Sequence, residues 1–338
     1  MAVVDRPGPE AEPIEDLEEL RESIEALRAA NRSGRDAGTE RRLLRALNHA
    51  GIRLLESAPE HPQFVAADEA NLPSADDGLP EFTPGQLTAG LLRAGILRDG
   101  CVLVRGLVPR ERALRFAGEI DQAFGERERS ESGAAATPGY YEEFEPHQQM
   151  GAEIMRPWIK QGGGLLAADS PRLSFEMLEM FHAAGLPELV SRYLGETALI
   201  SAHKTTLRKA DPSVAGAWHQ DGYFMGEVRS LNLWLSLSRC GDEAPGLDIV
   251  ARRFDSYLAT ATDEAILDYT ISQRKVEEAA GETPVIRPIF EPGDALLFDE
   301  LFLHQTGSDP SMPNPRFAIE NWFFGASAFP EEYAPVAV

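Results

Sequence analysis

The sequence predicts a mainly β fold with flanking helices, in which the β part is an antiparallel sandwich or barrel. Three observations carry this. From residue 197 onward, short β-rich runs such as "TALISAHKTTLR", "SLNLWLSLS" and "RFAIENWFF" alternate with Gly, Pro and Asp turns, the pattern of many short strands in one antiparallel unit. Upstream of them, apolar residues recur at three- and four-residue steps, which is helical spacing. The composition, 43% hydrophobic and 26% charged over 338 residues, is that of an ordinary globular chain with ample core material.

Taken in order, residues 1–13 are rich in Pro, Glu and Ala and read as a frayed tail. Ile14, Leu17, Leu20, Ile24 and Leu27 mark an amphipathic helix over about 14–30. Leu43, Leu44, Leu47 and Leu54 mark a second helix over 39–56, with Gly34 and Gly38 between the two. The stretch 58–84 is rich in Pro and Asp and reads as a linker. Thr83 as N-cap and Pro84 in the first turn open a third helix, which an Asp99-Gly100 turn joins to a strand from Cys101 to Arg105. A further helix starts near Pro109. Residues 126–165, long and without a steady period, read as a lid over a site. A helical segment at 173–195 precedes the strands, and a charged helical insertion, strongest at 262–280 within 255–283, interrupts them. The organisation expected is an N-terminal helical extension and linker (1–84) before a main domain (85–330).

The charge balance narrows the partners. With 55 acidic and 32 basic residues, a net charge of -23 repels phosphate backbones and anionic lipid, so neither nucleic acid nor membrane is expected as a partner. The two cysteines, Cys101 and Cys240, suit a reducing compartment and no disulfide framework. The first residues lack a signal-peptide pattern, and no run approaches the roughly 18 apolar residues of a membrane span, so a cytoplasmic location is expected. Oligomeric state has no signature in the sequence.

Two segments carry chemistry. In "AWHQDGYF", His219 and Asp221 flank Gln220; on an extended strand they project from one face and reach a common ion. A lone His-x-Asp is common by chance. In "EPGDALLFDELFLHQTGSDPSMPNPRFAIE", a Pro-Gly-Asp turn and an apolar strand lead to His304, and Arg316 opens the next strand. Two histidines and a carboxylate on a β scaffold form a facial triad, which leaves three adjacent coordination positions open. A guanidinium nearby offers a planar fork for the distal carboxylate of a dicarboxylic acid.

The ordered set of His-x-Asp, a long insert, His and then Arg, with "RDGCVLVRGLV", "LNLWLSLS" before an Ala-Pro-Gly-Leu turn, and "GDALLFDELFLHQTGSD", resembles the phytanoyl-CoA dioxygenase-like branch of the Fe(II)/2-oxoglutarate oxygenases over about 85–325. The resemblance implies a double-stranded β-helix (a cupin-like jelly roll) with helices packed around it. It implies His219, Asp221 and His304 as Fe(II) ligands, Arg316 as the partner of the 2-oxoglutarate carboxylate, Trp234 lining the co-substrate pocket and Thr205 as a further contact. The implied co-substrates are 2-oxoglutarate and O2, the implied by-products succinate and CO2. Intact Asp221 favours hydroxylation, because halogenating relatives carry a small residue there. Asp309 stands where relatives often carry Asn, the step from His304 to Arg316 is one residue longer than is commonest, and "ARRFD" replaces a usual Pro-Gly-Ser-His. These departures bear on substrate rather than on metal.

Other candidates are weaker in pattern. His147 in the lid and His203 on the strand before the metal motif are candidates to face substrate, as are Tyr140, Tyr141, Trp158, Lys160 and Gln161 over the mouth. Arg252 and Arg253 are candidates for an anionic group, with surface arginines the plainer reading. The other histidines, His49, His61 and His182, read as surface or packing residues. A cupin-like metalloenzyme without redox chemistry and a non-catalytic jelly-roll binding module are the alternatives from other classes. The expected substrate is a small free molecule, since a CoA or carrier-bound one would add negative charge.

Overall fold

The structure, a computed structural model, describes residues 14–74, 78–150, 153–213, 216–261, 265 and 268–338. In chain order the strands are β1 (Glu81–Phe82), β2 (Cys101–Val104), β3 (Gly164–Leu166), β4 (Ala198–Ala210), β5 (Ser230–Ser236), β6 (Gly246–Val250), β7 (Val285–Ile286), β8 (Ala295–Phe298), β9 (His304–Gly307), β10 (Arg316–Gly325) and β11 (Pro335–Ala337). The helices are α1 (Leu17–Ser33), α2 (Ala37–Glu56), α3 (Ala89–Asp99), α4 (Arg110–Glu131), α5 (Arg156–Gln161), α6 (Pro171–Ala183), α7 (Leu186–Leu194) and α8 (Gln273–Ala280).

Period-two alternation sorts the strand residues onto two faces. The large sheet runs β1-β2-β8-β5-β10-β4-β11, with β3 added on β4, and the small sheet runs β7-β6-β9. Every pairing is antiparallel except β1 with β2. On the large sheet, Leu231, Leu233, Leu235, Ile319 and Phe323 point outward into a core shared with α1, α2, α3, α4, α6 and α7. Trp234, Leu296, Phe298, Ala318, Trp322 and Phe324 point inward and meet Leu247 and Ile249 of the small sheet, with Phe290 and Phe302 beside them. Behind the small sheet, Trp218, Val250 and Leu303 pack on Phe254, Ile271, Val276 and Ala280. Mixed sheets stacked in this way, with helices on the outer face, are the expected jelly-roll architecture.

Several boundaries differ from the sequence reading. Thr83 closes only a single turn: it accepts from the Gln86 N–H (3.0 Å), and its own N–H donates to Gln86 Oε1 (3.0 Å). The third helix starts at Ala89, capped by Thr88, whose Oγ1 accepts from the Leu91 N–H (3.2 Å). The segment 173–195 is two helices, because Gly185 at φ 68 breaks the run between α6 and α7. Within 126–165, α4 extends to Glu131, and α5 and β3 occupy the end. Within 262–280 the helix is only α8; residues 262–264 and 266–267, like the tail 1–13 and residues 75–77 of the linker, lie outside the described residues. No helix among the described residues is long and apolar enough to cross a membrane.

The N-terminal helices bear directly on the sheet. Leu43, Leu44 and Leu47 of α2 are buried in the outer core, each side chain worth about 1.5–3 kcal/mol of transfer free energy. Asn48 Nδ2 donates to the Pro335 carbonyl at the start of β11 (2.7 Å). Three residues along, a Cβ on Gly51 would meet the Pro335 carbonyl carbon and oxygen at 2.9 Å, so only glycine allows this close approach. Gly51→Ala is therefore expected to lower unfolding stability by about 1–3 kcal/mol, as overpacking does. An unchanged denaturant midpoint would show that the contact gives way freely.

Candidate metal centre

The centre is built on one pair of backbone hydrogen bonds. The His219 N–H donates to the His304 carbonyl (3.0 Å) and the His304 N–H to the His219 carbonyl (3.2 Å), an isolated antiparallel bridge. Residues paired in this way project side chains to the same face. The two imidazole centroids are 4.5 Å apart. His304 is fixed from its other side by β9, where it pairs with Ile249 of β6.

Asp221 reaches the same point by a route other than the expected strand. The extended run ends at Gln220, and Asp221 opens a single 3-10 turn, Asp221–Phe224, which swings its carboxylate between the histidines. Asp221 Oδ1 lies 3.9 Å from His219 Nε2, and Oδ2 lies 3.5 Å from His304 Nε2. Gly222 makes the turn possible, since a Cβ there would run into Tyr257 and Glu300. The intervening Gln220 points away and is buried; its Nε2 donates to Leu301 O (2.6 Å) and its Oε1 accepts from the Leu258 N–H (2.7 Å). Behind it, the Ile271 N–H donates to Trp218 O (2.9 Å) and Trp218 Nε1 to Gln273 Oε1 (3.0 Å), tying the insertion to the strand that carries His219.

The donor set suits a cation. Both Nδ1 atoms face carbonyls, Ala217 O at 2.7 Å and Phe302 O at 3.2 Å. A carbonyl only accepts, so Nδ1 carries the proton in each ring and the Nε2 lone pairs face Asp221. Among the described residues, His219, Asp221 and His304 are the group of ligand side chains close enough to hold one ion. Burial alone would raise the Asp221 pKa, but His219, His304, Lys204 and Arg208 outweigh it and hold the carboxyl below its usual value. Burial and then His219 pull His304 down to about 4, against the opposing pull of Asp221.

Deeper in the interior, Arg316 is 2% exposed. Its Nη1 donates to Gly246 O (2.9 Å), its Nη2 lies 3.9 Å from Glu320, and its Nε has no partner. Glu320 is shared with Arg208, whose Nε donates to it at 2.8 Å. The Arg316 guanidinium lies 5.4 Å from the Trp234 ring, whose Nε1 is also buried without a partner. Two buried N–H donors that lack an acceptor are costly, and a carboxylate supplies what they lack. Thr205 is turned the other way. It shares a face with Leu207, on the helix side of β4, and its hydroxyl bonds Ser201 O (2.9 Å) and Asn321 Oδ1 (2.8 Å).

The remaining candidates separate. Trp158 of α5 stands edge-on to Tyr269 (5.6 Å), Tyr269 to Phe224 (4.9 Å), and Phe224 lies 6.5 Å from the His219 ring, so an aromatic path connects α5 to the triad. His203 stacks on Tyr333 at 5.3 Å and accepts the Ala334 N–H on Nδ1 (3.1 Å). Tyr140 and His147 instead make their contacts by the N-terminal helices: Arg172 covers the Tyr140 ring (5.0 Å), and His147 packs on His49 (5.1 Å). Lys160 pairs with Glu131 (2.6 Å), Arg252 donates to Ala279 O and Ala280 O at the end of α8, and Arg253 pairs with Asp299. Sequence reasoning missed Lys204, Arg208, Phe224, Tyr269, Glu320 and Tyr333. Polar residues inside "AHKTTLR" were a signal for the first two; Tyr333 lies beyond the motifs and had none.

No family model matches this sequence, and no curated protein aligns with it. Solved structures do. EctD from S. alaskensis with 2-oxoglutarate and 5-hydroxyectoine is similar over 80% of this chain and 84% of its own, with a TM-score of 0.53 at 16% identity. The same protein with bound Fe gives 0.51 at 16% identity, over 80% and 85%. Likeness at this identity concerns the fold. The chain has a cupin-type jelly-roll core with a His-Asp-His cluster inside it.

The buried histidines set a pH dependence. Burial lowers His203 to about 4, as it does His304, from an ordinary value of 6.5. Between these values the unfolded chain binds protons that the folded chain does not, so metal-free protein loses stability as pH falls from about 6.5 towards 4. His304→Gln removes one share, and its stability should fall less steeply over that window. Parallel slopes in urea titrations of the two proteins would contradict the assignment.

Proposed function

We propose that this protein is an Fe(II)/2-oxoglutarate-dependent oxygenase of the phytanoyl-CoA dioxygenase-like branch, acting as a hydroxylase on a small molecule. One observation carries the reading: a facial His219-Asp221-His304 triad shares a jelly-roll interior with the buried, incompletely partnered guanidinium of Arg316. That EctD, of like fold, is solved with Fe and with 2-oxoglutarate agrees with it.

In this reading His219 and His304 offer Nε2 and Asp221 a carboxylate oxygen to iron, each ring held in the required tautomer by its carbonyl partner. Bound iron supplies the activation of O2 against 2-oxoglutarate; the balance is R–H + O2 + 2-oxoglutarate to R–OH + succinate + CO2. Arg316 takes the distal carboxylate of the co-substrate, and Trp234 covers it while turning Nε1 towards an acceptor. Thr205, with its hydroxyl already bonded, supports the strand rather than the co-substrate. Trp158, Tyr269 and Phe224 shield the site from water, which protects the reactive centre and strengthens its electrostatics. The net charge of -23 favours a small free substrate over a nucleic acid, a membrane or a thioester carrier.

The test is anaerobic addition of Fe(II) and 2-oxoglutarate, read as a visible absorption band, followed by succinate release in air. His219→Ala and Asp221→Ala should each abolish iron binding and turnover; a fully active double variant overturns the reading. Arg316→Met should keep iron and raise the KM for 2-oxoglutarate about 30-fold or more, the equivalent of about 2 kcal/mol. Metal binding without any succinate would point instead to a cupin-like enzyme without redox chemistry.

A further inference from the structure

The longest strand is interrupted beside the triad. Between the pairs Asn321–Thr205 and Phe323–Ile200, β10 advances two residues while β4 advances five, so three extra residues bulge from β4. The irregularity belongs to β4, because β10 stays in step with β5 from Ala318 to Phe324. The bulge is tied off internally: Ser201 Oγ accepts the His203 N–H (3.0 Å) and Ser201 O accepts the Thr205 hydroxyl (2.9 Å). Bulges re-aim side chains, and this one re-aims His203 and Lys204.

Lys204 Nζ lies 5.6 Å from the centre of the Phe224 ring and 5.9 Å from that of Tyr333. Phe224 is on the turn that Asp221 opens, and His203 stacks on the far ring. Among the described residues, Lys204 has no hydrogen-bond or ion-pair partner. Arg208, Arg316, Arg156 and Arg253, the cations around the same interior, each have at least one. The charge opposing the desolvation of Lys204 is chiefly that of Asp221. Once Asp221 serves a metal, that compensation falls, and an anion brought by a ligand restores it.

We propose that Lys204 anchors a carboxylate of the substrate, with Phe224 and Tyr333 flanking the ion pair. The inference rests on the oxygenase reading and narrows its substrate class to a small carboxylic acid. The distal end of 2-oxoglutarate is assigned to Arg316, whose guanidinium lies over Trp234 with its Nε unpartnered, and the Lys204 variants below separate the two roles. The body of the acid is apolar or aromatic, because the side chains beyond Lys204 are the exposed rings of Phe224 (38%) and, through Tyr269, of Trp158 (53%).

The test is calorimetric titration of the full chain, loaded anaerobically with Fe(II) and 2-oxoglutarate, using acetate, benzoate and 3-phenylpropionate, each beside its primary amide. At least one aromatic acid should bind ten-fold or more tightly than its amide. Lys204→Met should lose that preference, and Lys204→Arg should retain most of it. No preference for any acid, or a preference that survives in Lys204→Met, overturns the proposal. So does a Lys204→Met whose loss falls on 2-oxoglutarate affinity, which would assign the residue to the co-substrate. Absence of the visible band in the wild type would sink the oxygenase reading separately; the same acid and amide titrations on the metal-free chain then decide Lys204 by the same criteria.

Discussion

The reciprocal backbone hydrogen bonds between His219 and His304 are the constraint on which the site depends. They join a segment outside the regular strands to β9 of the small sheet, and so bring together two residues 85 positions apart in sequence. Once that bridge is made, both side chains leave the same face, and their carbonyl partners set both tautomers. Asp221 needs only the next turn of chain. The buried amide of Gln220 then fastens this turn to the loop before β9 and to the insertion, so the three side chains of the cluster are held by a frame outside it.

Much of this was legible in the sequence because it is written in local patterns. Alternating apolar residues in "SLNLWLSLS" and "RFAIENWFF" do divide between an outer and an inner face, and the helical periods at Leu43, Leu44 and Leu47 do mark a buried stripe. His219, Asp221 and His304 do come together. What was not legible depends on long-range geometry. Thr83-Pro84 has all the marks of a helix start, yet Thr88 won, because capping chemistry alone does not say which candidate leads into the packed segment. Period two placed Asp221 on a strand, although Gly222 permits a turn there. The β4 bulge has no sequence mark at all, and it decides that Thr205 faces the helices while Lys204 lies near Asp221.

Two groups of side chains share the interior. One is Arg316 over Trp234, both with donors left to satisfy. The other is the triad, with Lys204 and a series of aromatic rings from Phe224 through Tyr269 to Trp158. Glu320 and Arg208 lie between, and through them the electrostatic influence of Asp221 and that of Arg316 meet.

Asn48 shows how far this organisation extends from the chemistry. Its amide nitrogen holds the Pro335 carbonyl of the final strand, and its oxygen accepts the His147 N–H (3.1 Å). Pro335 follows Tyr333 by two residues, and His147 lies on the segment that leads to α5 and Trp158. One side chain of α2 thus ties the final strand to the chain at His147. Trimming the first two helices would leave His219, Asp221 and His304 in the sequence and still remove the tie between the final strand and the chain at His147.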